Sequence, residues 1–174
     1  GFDILKVASC SAKDWPLLKK MAEANLPVVF STGGLQLDNI DDLASFFDHQ
    51  GAEFAIMHCV SIYPTPADKF NLNQIDVLRH RYPNRVIGWS THENPDDTVP
   101  VQMAVAKGAR MFERHVGIAI KDIKLNAYSS TPEQAECWIS AYKQAVELCG
   151  STERQVSSVE QESLNSLRRG VYAL

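Results

Sequence analysis

The sequence predicts an α/β protein of five βα units, and three observations carry that prediction. Short apolar runs alternate with segments of helical spacing through most of the chain. The runs are rich in Val and Ile instead of alternating with polar residues, as parallel strands covered on both faces are. They recur every ~22–32 residues, the spacing of the repeating unit of a (β/α)₈ barrel. A doubly wound open sheet is the rival. It usually carries a Gly-rich phosphate loop after an early strand, and neither GxGxxG nor GxxxxGK occurs in the 174 residues. Five units are too few to close an eight-stranded barrel, so the residues allow an open sheet or the second part of a barrel.

Each element can be justified in turn. Ile4–Ser9 is apolar and ends in small polar residues, which reads as a strand. Asp14 can cap the helix that follows, Pro16–Ala24, with proline in its first turn. Pro27–Ser31 is a second buried strand, and Thr32-Gly33-Gly34 turns after it. Asp38–Gln50 places Ile40, Leu43, Phe46 and Phe47 at helical spacing, and Gly51 stops it. Glu53–Cys59 is the third strand, followed by a loop with two prolines and a helix over Leu72–Tyr82. Val86–Trp89 and Met111–Phe112 are the last two strands, separated by one helix-length segment. A long loop, Gly117–Ser130, leads to a helix capped by Thr131 that runs to about Leu148. Val156–Arg169 reads as a further polar amphipathic helix. Residues 1–150 then form the barrel-type unit, and 151–174 a C-terminal helix with the start of a linker.

The composition narrows the function. Charged residues make up 22% and hydrophobic ones 45%, ordinary for a globular protein, and the net charge of −4 leaves no basic surplus for nucleic acid. Four scattered cysteines without a CxxC pair suit a reduced, cytoplasmic protein. No apolar run approaches the ~20 residues that span a bilayer, so no membrane is expected as a partner.

In barrel folds the functional residues sit at the carboxyl ends of the strands. Here those ends carry Ser9, then Ser31-Thr32-Gly33, then His58-Cys59 with Ser61 and Tyr63, then Ser90 and His92, then His115. Any one serine is more readily a helix cap, but five polar ends in a row favour a polar ligand. Lys6 is the odd residue of its strand; inside a barrel its ammonium needs an anionic partner, for which phosphate or carboxylate suits. A lone histidine at a strand end is more often a wall residue than a ligand. His92 and His115 end adjacent strands, which lie ~4.8 Å apart, so they can share one ion. Two imidazoles without a nearby cysteine suit Mn²⁺, Fe²⁺ or Zn²⁺. His58 reads as a wall residue, and His49 and His80 as solvated helix residues.

The segments KVASCSAKDWPLL, PVVFSTGG, MHCVSIYPTP, IGWSTHE and FERHV, in this order, resemble the sialic acid synthase family, which includes N-acetylneuraminate synthase and its legionaminate and pseudaminate relatives. The resemblance covers nearly the whole chain and is weakest over 117–130 and after Gly150. It implies a partial TIM (β/α)₈ barrel in which these five units are strands four to eight. It also implies that the first three units and a small following domain are absent, so that the chain alone is inactive. The implied reaction condenses phosphoenolpyruvate with N-acetylmannosamine or another N-acetylated hexose and releases phosphate. By the same resemblance Lys6, Ser9, Ser31 and Ser90 hold phosphoenolpyruvate, Tyr63 borders the substrates, and His92 and His115 hold a divalent metal, Mn²⁺ or Mg²⁺.

Three departures stand against the family pattern. Ser11 occupies the position of an acidic residue that assists proton transfer, which leaves the catalytic acid–base group unassigned. The loop after His115 reads AIKDIKLNAYSS in place of a PGPD-H segment, with Asp122 and Asn126 the nearest polar substitutes, and Thr91 replaces an aspartate. Two alternatives follow: a synthase-like protein that binds the sugar or phosphoenolpyruvate without condensing them, and a barrel aldolase using Lys6 as a Schiff base. The first and last strands have bare edges, so a homo-oligomer is expected, or a C-terminal helix over one edge.

Overall fold

A computed structural model describes residues 1–170. Five strands, β1 (Leu5–Val7), β2 (Val28–Ser31), β3 (Phe54–Cys59), β4 (Val86–Thr91) and β5 (Met111–Arg114), pair in parallel in the order β1-β2-β3-β4-β5. Sequential parallel order with a helix in each crossover is the winding of a TIM-type barrel, and these five strands form part of one. The final residues of the expected linker, 171–174, lie outside the described residues.

Strand alternation divides the sheet into two faces. Val7, Phe30, Ile56, Ile87 and Trp89 point outward and join the helices in one buried cluster. Within it the rings of Phe30, Phe47 and Phe54 lie 5.8–6.0 Å apart between centroids. Each such side chain contributes ~1.5–3 kcal/mol when fully buried. The inward face holds a smaller apolar set, Val29, Ala55 and Met57 with Met111 against them. Above these the inward positions become polar: Ser31, Ser90 and Glu113.

The helices are α1 (Trp15–Ala22), α2 (Leu37–His49), α3 (Asn73–Arg81), α4 (Val99–Ala106), α5 (Pro132–Cys149) and α6 (Ser158–Leu167). The Asp14 carboxylate accepts from Leu17 N at 3.2 Å and starts α1, as expected. Thr131 and Gln134 form a reciprocal capping box on α5. α1 stops two residues short of the expected Ala24, and Asn25 takes a positive φ of 53° after it. β4 and β5 each run two residues further than their apolar runs. Ser90 pairs with Glu113 and Thr91 with Arg114, so the backbone ladder continues after the hydrophobic signal ends. α6 has no buried residue, so the expectation that it covers a strand edge is corrected. No helix among the described residues is long and apolar enough to cross a membrane.

Candidate functional site

A cleft of about 430 Å³ opens at the carboxyl ends of the strands. Its lining includes Lys6, Ser9, Ser31, Tyr63, Ser90, His92 and His115, so all seven residues expected at the site come together. Ser11, on the 3₁₀ turn after β1, is not among its lining residues.

Lys6 reaches across the concave face. Its ammonium donates to Ser31 Oγ at 2.8 Å and to the Val7 carbonyl at 3.2 Å, and lies 3.3 Å from Glu113 Oε2. Ser90 Oγ donates to the same Glu113 oxygen at 2.7 Å. The anion that Lys6 requires is therefore supplied from within the chain, by a residue the strand-end reading passed over. The signal was available: Glu113 is two residues before His115, and positions i and i+2 of a strand share a face. Ser9 Oγ accepts from Gly33 N at 3.0 Å, which leaves its own O–H free to donate into the cleft. A Cβ at Gly33 would stand 2.7 Å from that oxygen and 2.2 Å from Ser61 Oγ, so glycine keeps this corner open.

His92 and His115 face each other with ring centroids 5.2 Å apart and planes inclined by 43°. His92 Nδ1 lies 3.2 Å from the Val60 carbonyl, which can only accept, so Nδ1 carries the proton and Nε2 keeps its lone pair. Burial holds the His92 imidazole below its ordinary pKa, and the neighbouring His115 pushes the same way. A neutral ring with a free Nε2 and an oriented Nδ1–H is the form that binds a divalent ion. The two rings fit as a pair of ligands to one ion. Among the described residues no group of three or more His, Cys, Asp or Glu is placed to hold a metal. An ion held by the pair would take its remaining ligands from substrate or water, or from residues beyond this set. Tyr63, which follows β3 and precedes a cis proline, packs on His92 at 4.2 Å. Tyr128, from the loop after β5, lies 5.1 Å from His115 and 5.9 Å from His92 between ring centroids. Loop composition gave no signal for Tyr128; Asp122 and Asn126 do not line the cleft.

Behind the histidines lies a charge pair. Glu93 is 1% exposed and the Arg114 side chain 5%, and Arg114 Nη1 is ion-paired with Glu93 Oε1. Trp138 Nε1 of α5 donates to that oxygen at 2.9 Å. Burial pushes the Glu93 carboxyl above its ordinary pKa, against the opposing pull of Arg114. His58, on the outward face of β3, is buried, with Nε2 donating to the Phe70 carbonyl at 2.8 Å. It is a wall residue, as expected. His49 and His80 are exposed on α2 and α3, each bonded to a carbonyl one turn back.

Residues 1–154 match the model of the NeuB family. The chain belongs to the NeuB family. It is 44% identical over 112 residues to the N-acetylneuraminate-9-phosphate synthase of Drosophila melanogaster, a match covering 64% of this chain and 30% of that protein. A Chromobacterium violaceum structure described as spore coat polysaccharide biosynthesis protein E superposes with a TM-score of 0.92 at 47% identity, over 98% of this chain and 51% of that one. The N-acetylneuraminic acid synthetase of Leptospira borgpetersenii, solved with citrate, gives 0.86 at 29% identity, over 98% of this chain and 60% of that one. These matches thus span 30–60% of the length of the relatives, about half in most. The half-barrel of this NeuB-family chain carries the cleft described above.

Proposed function

We propose that the protein carrying this half-barrel condenses phosphoenolpyruvate with an N-acetylated hexose, such as N-acetylmannosamine, to a nonulosonic acid with release of phosphate. The observation that carries the proposal is the convergence of Lys6, Ser9, Ser31, Ser90, His92 and His115 in one cleft of a NeuB-family chain. In this reading Lys6 and the hydroxyls of Ser9 and Ser31 hold the phosphoenolpyruvate anion, and Tyr63 borders the substrates. Ser90 donates to Glu113 as built, so an anion binding there must displace that hydrogen bond. Donors held in place around a phosphate lower the barrier chiefly by preorganisation. A divalent ion on His92 and His115, Mn²⁺ or Mg²⁺, supplies Lewis acidity toward the sugar aldehyde when bound. His92 orients toward it through the bond to Val60, and the rings of Tyr63 and Tyr128 pack beside the pair. The relatives are about twice as long, so the activity is assigned to the full-length protein, with this chain alone inactive. Four free cysteines suit a cytoplasmic setting.

The experiment is mass spectrometry of the full-length protein incubated with phosphoenolpyruvate, Mn²⁺ and a panel of 2-acetamido hexoses. The expected product has the summed mass of both substrates and water less phosphoric acid. His92→Ala and His115→Ala are expected to abolish it; unchanged turnover in both removes the metal assignment.

A second reading is favoured by one observation. Among the described residues lining the cleft Glu113 is the sole carboxylate, and it is engaged by Lys6 and Ser90. Without an acid at Ser11, a protein of this build can bind the substrates without joining them. Tight phosphoenolpyruvate binding with no product from any sugar would establish that reading.

A further inference from the structure

Glu93 directly follows His92, and Arg114 directly precedes His115. Strand alternation sends Arg114 to the helix side, while Glu113 and His115 face the cleft. There the guanidinium is gripped twice, by Glu93 through Nη1 and by Ser130 Oγ through Nε. Ser130 in turn brackets His115: its N donates to the His115 carbonyl at 2.9 Å, and its own carbonyl accepts from Gly117 N at 2.9 Å. Glu93 is held from the other side by Trp138. One buried ion pair therefore ties the rim of β4 to the rim of β5 and to the start of α5.

As a stabilising element the pair is poor. Glu93 Oε2 and Arg114 Nη2 are buried and have no partner among the described residues. An incompletely satisfied buried pair commonly gains nothing over apolar side chains of similar volume. Stability does not account for it; its placement, one residue behind each histidine, does.

We propose that Glu93 and Arg114 are positioning residues that set the separation and tilt of the His92 and His115 imidazoles. The consequence for metal affinity rests on the metal reading given above; the consequence for ring geometry does not. Partners behind metal-binding histidines typically change affinity by ~10–100-fold when lost.

The test uses the full-length protein with Glu93→Met and Arg114→Met combined, which removes both charges at similar volume. Three quantities are read: the urea midpoint, the Mn²⁺ dissociation constant by electron paramagnetic resonance, and the imidazole ¹H–¹⁵N signals of the metal-free protein. The expected result is a folded variant whose Mn²⁺ affinity falls ~10–100-fold, with the His92 and His115 signals displaced and that of His58 unchanged. Signals and affinity both unchanged in a folded variant would overturn the proposal. Arg114→Lys covers the case in which the double variant does not fold. It keeps the charge but loses the forked geometry, and must displace the same two signals; if it does not, the proposal fails. If His92→Ala leaves Mn²⁺ binding intact, the metal reading falls, and the imidazole signals alone still decide this inference.

Discussion

The ammonium of Lys6 lies 3.3 Å from the carboxylate of Glu113, joining the two outermost strands of the half-barrel across its concave face. Neither group is fully buried, so the pair itself is worth only ~0–1 kcal/mol of stability. Its importance is as a competitor: an incoming anion must share Lys6 with a carboxylate already there. Glu113→Gln is expected to tighten phosphoenolpyruvate binding several-fold at low ionic strength, and Lys6→Ala to abolish it. Calorimetric titration of the full-length protein checks both, and an unchanged affinity in Glu113→Gln removes Glu113 as a competitor.

Gly88 controls how closely β5 approaches β4. A Cβ there would stand 2.5 Å from the Met111 carbonyl oxygen and 2.9 Å from Met111 Cβ. Backbone cannot yield as a flexible side chain does, so Gly88→Ala must push β5 outward and carry Glu113 and His115 with it. Overpacking of this kind typically costs ~1–3 kcal/mol. Urea denaturation should show that loss, together with weaker Mn²⁺ binding; a variant with parental values of both would contradict the packing argument.

His58 predicts a pH dependence of stability. Burial holds its imidazole below the ordinary pKa, although the hydrogen bond to Phe70 partly offsets this. The folded protein keeps the ring neutral at a pH where the unfolded chain, with a pKa of about 6.5, already takes up a proton. Stability is therefore full above that pH and falls as the pH drops below it. His92 acts in the same direction, and Glu93, whose carboxyl is raised, in the opposite one. The difference between the parent and His58→Gln isolates the His58 contribution. The urea midpoints of the two should diverge between pH 7.5 and pH 5.5, with the parent losing more; parallel curves would refute the assignment.

Among the described residues β1 and β5 each pair on one side only, and α6 has no buried residue to lay over either edge. Unpaired strand edges recruit other strands, so the isolated chain is expected to self-associate. Light scattering of residues 1–170 that returned a clean monomer would contradict this.

Much of the architecture was legible from the chain alone. The Val/Ile runs and the Asp14 and Thr131 caps are local signals, and the elements they predicted are present. The ends of β4 and β5 were not legible, because Ser90, Thr91, Glu113 and Arg114 carry no apolar signal and are strand only through pairing with each other. The cleft followed the same division. Residues at the ends of apolar runs were found. Glu113 was passed over although its spacing to His115 puts both on one strand face, and Tyr128 was not legible, since it acquires its role from partners distant in sequence.

The sequence by itself determined the parallel α/β class, the strand-end residues that line the cleft and the membership of a synthase family, because periodicity, caps and motifs are properties of neighbouring residues. Tertiary structure alone decided that Lys6 meets Glu113, that Tyr128 packs over His115, and that Glu93 and Arg114 pair behind the two histidines. Those contacts depend on the register between β4 and β5 and on the curvature that brings β1 toward β5. Register and curvature arise only when distant strands are packed under their helices.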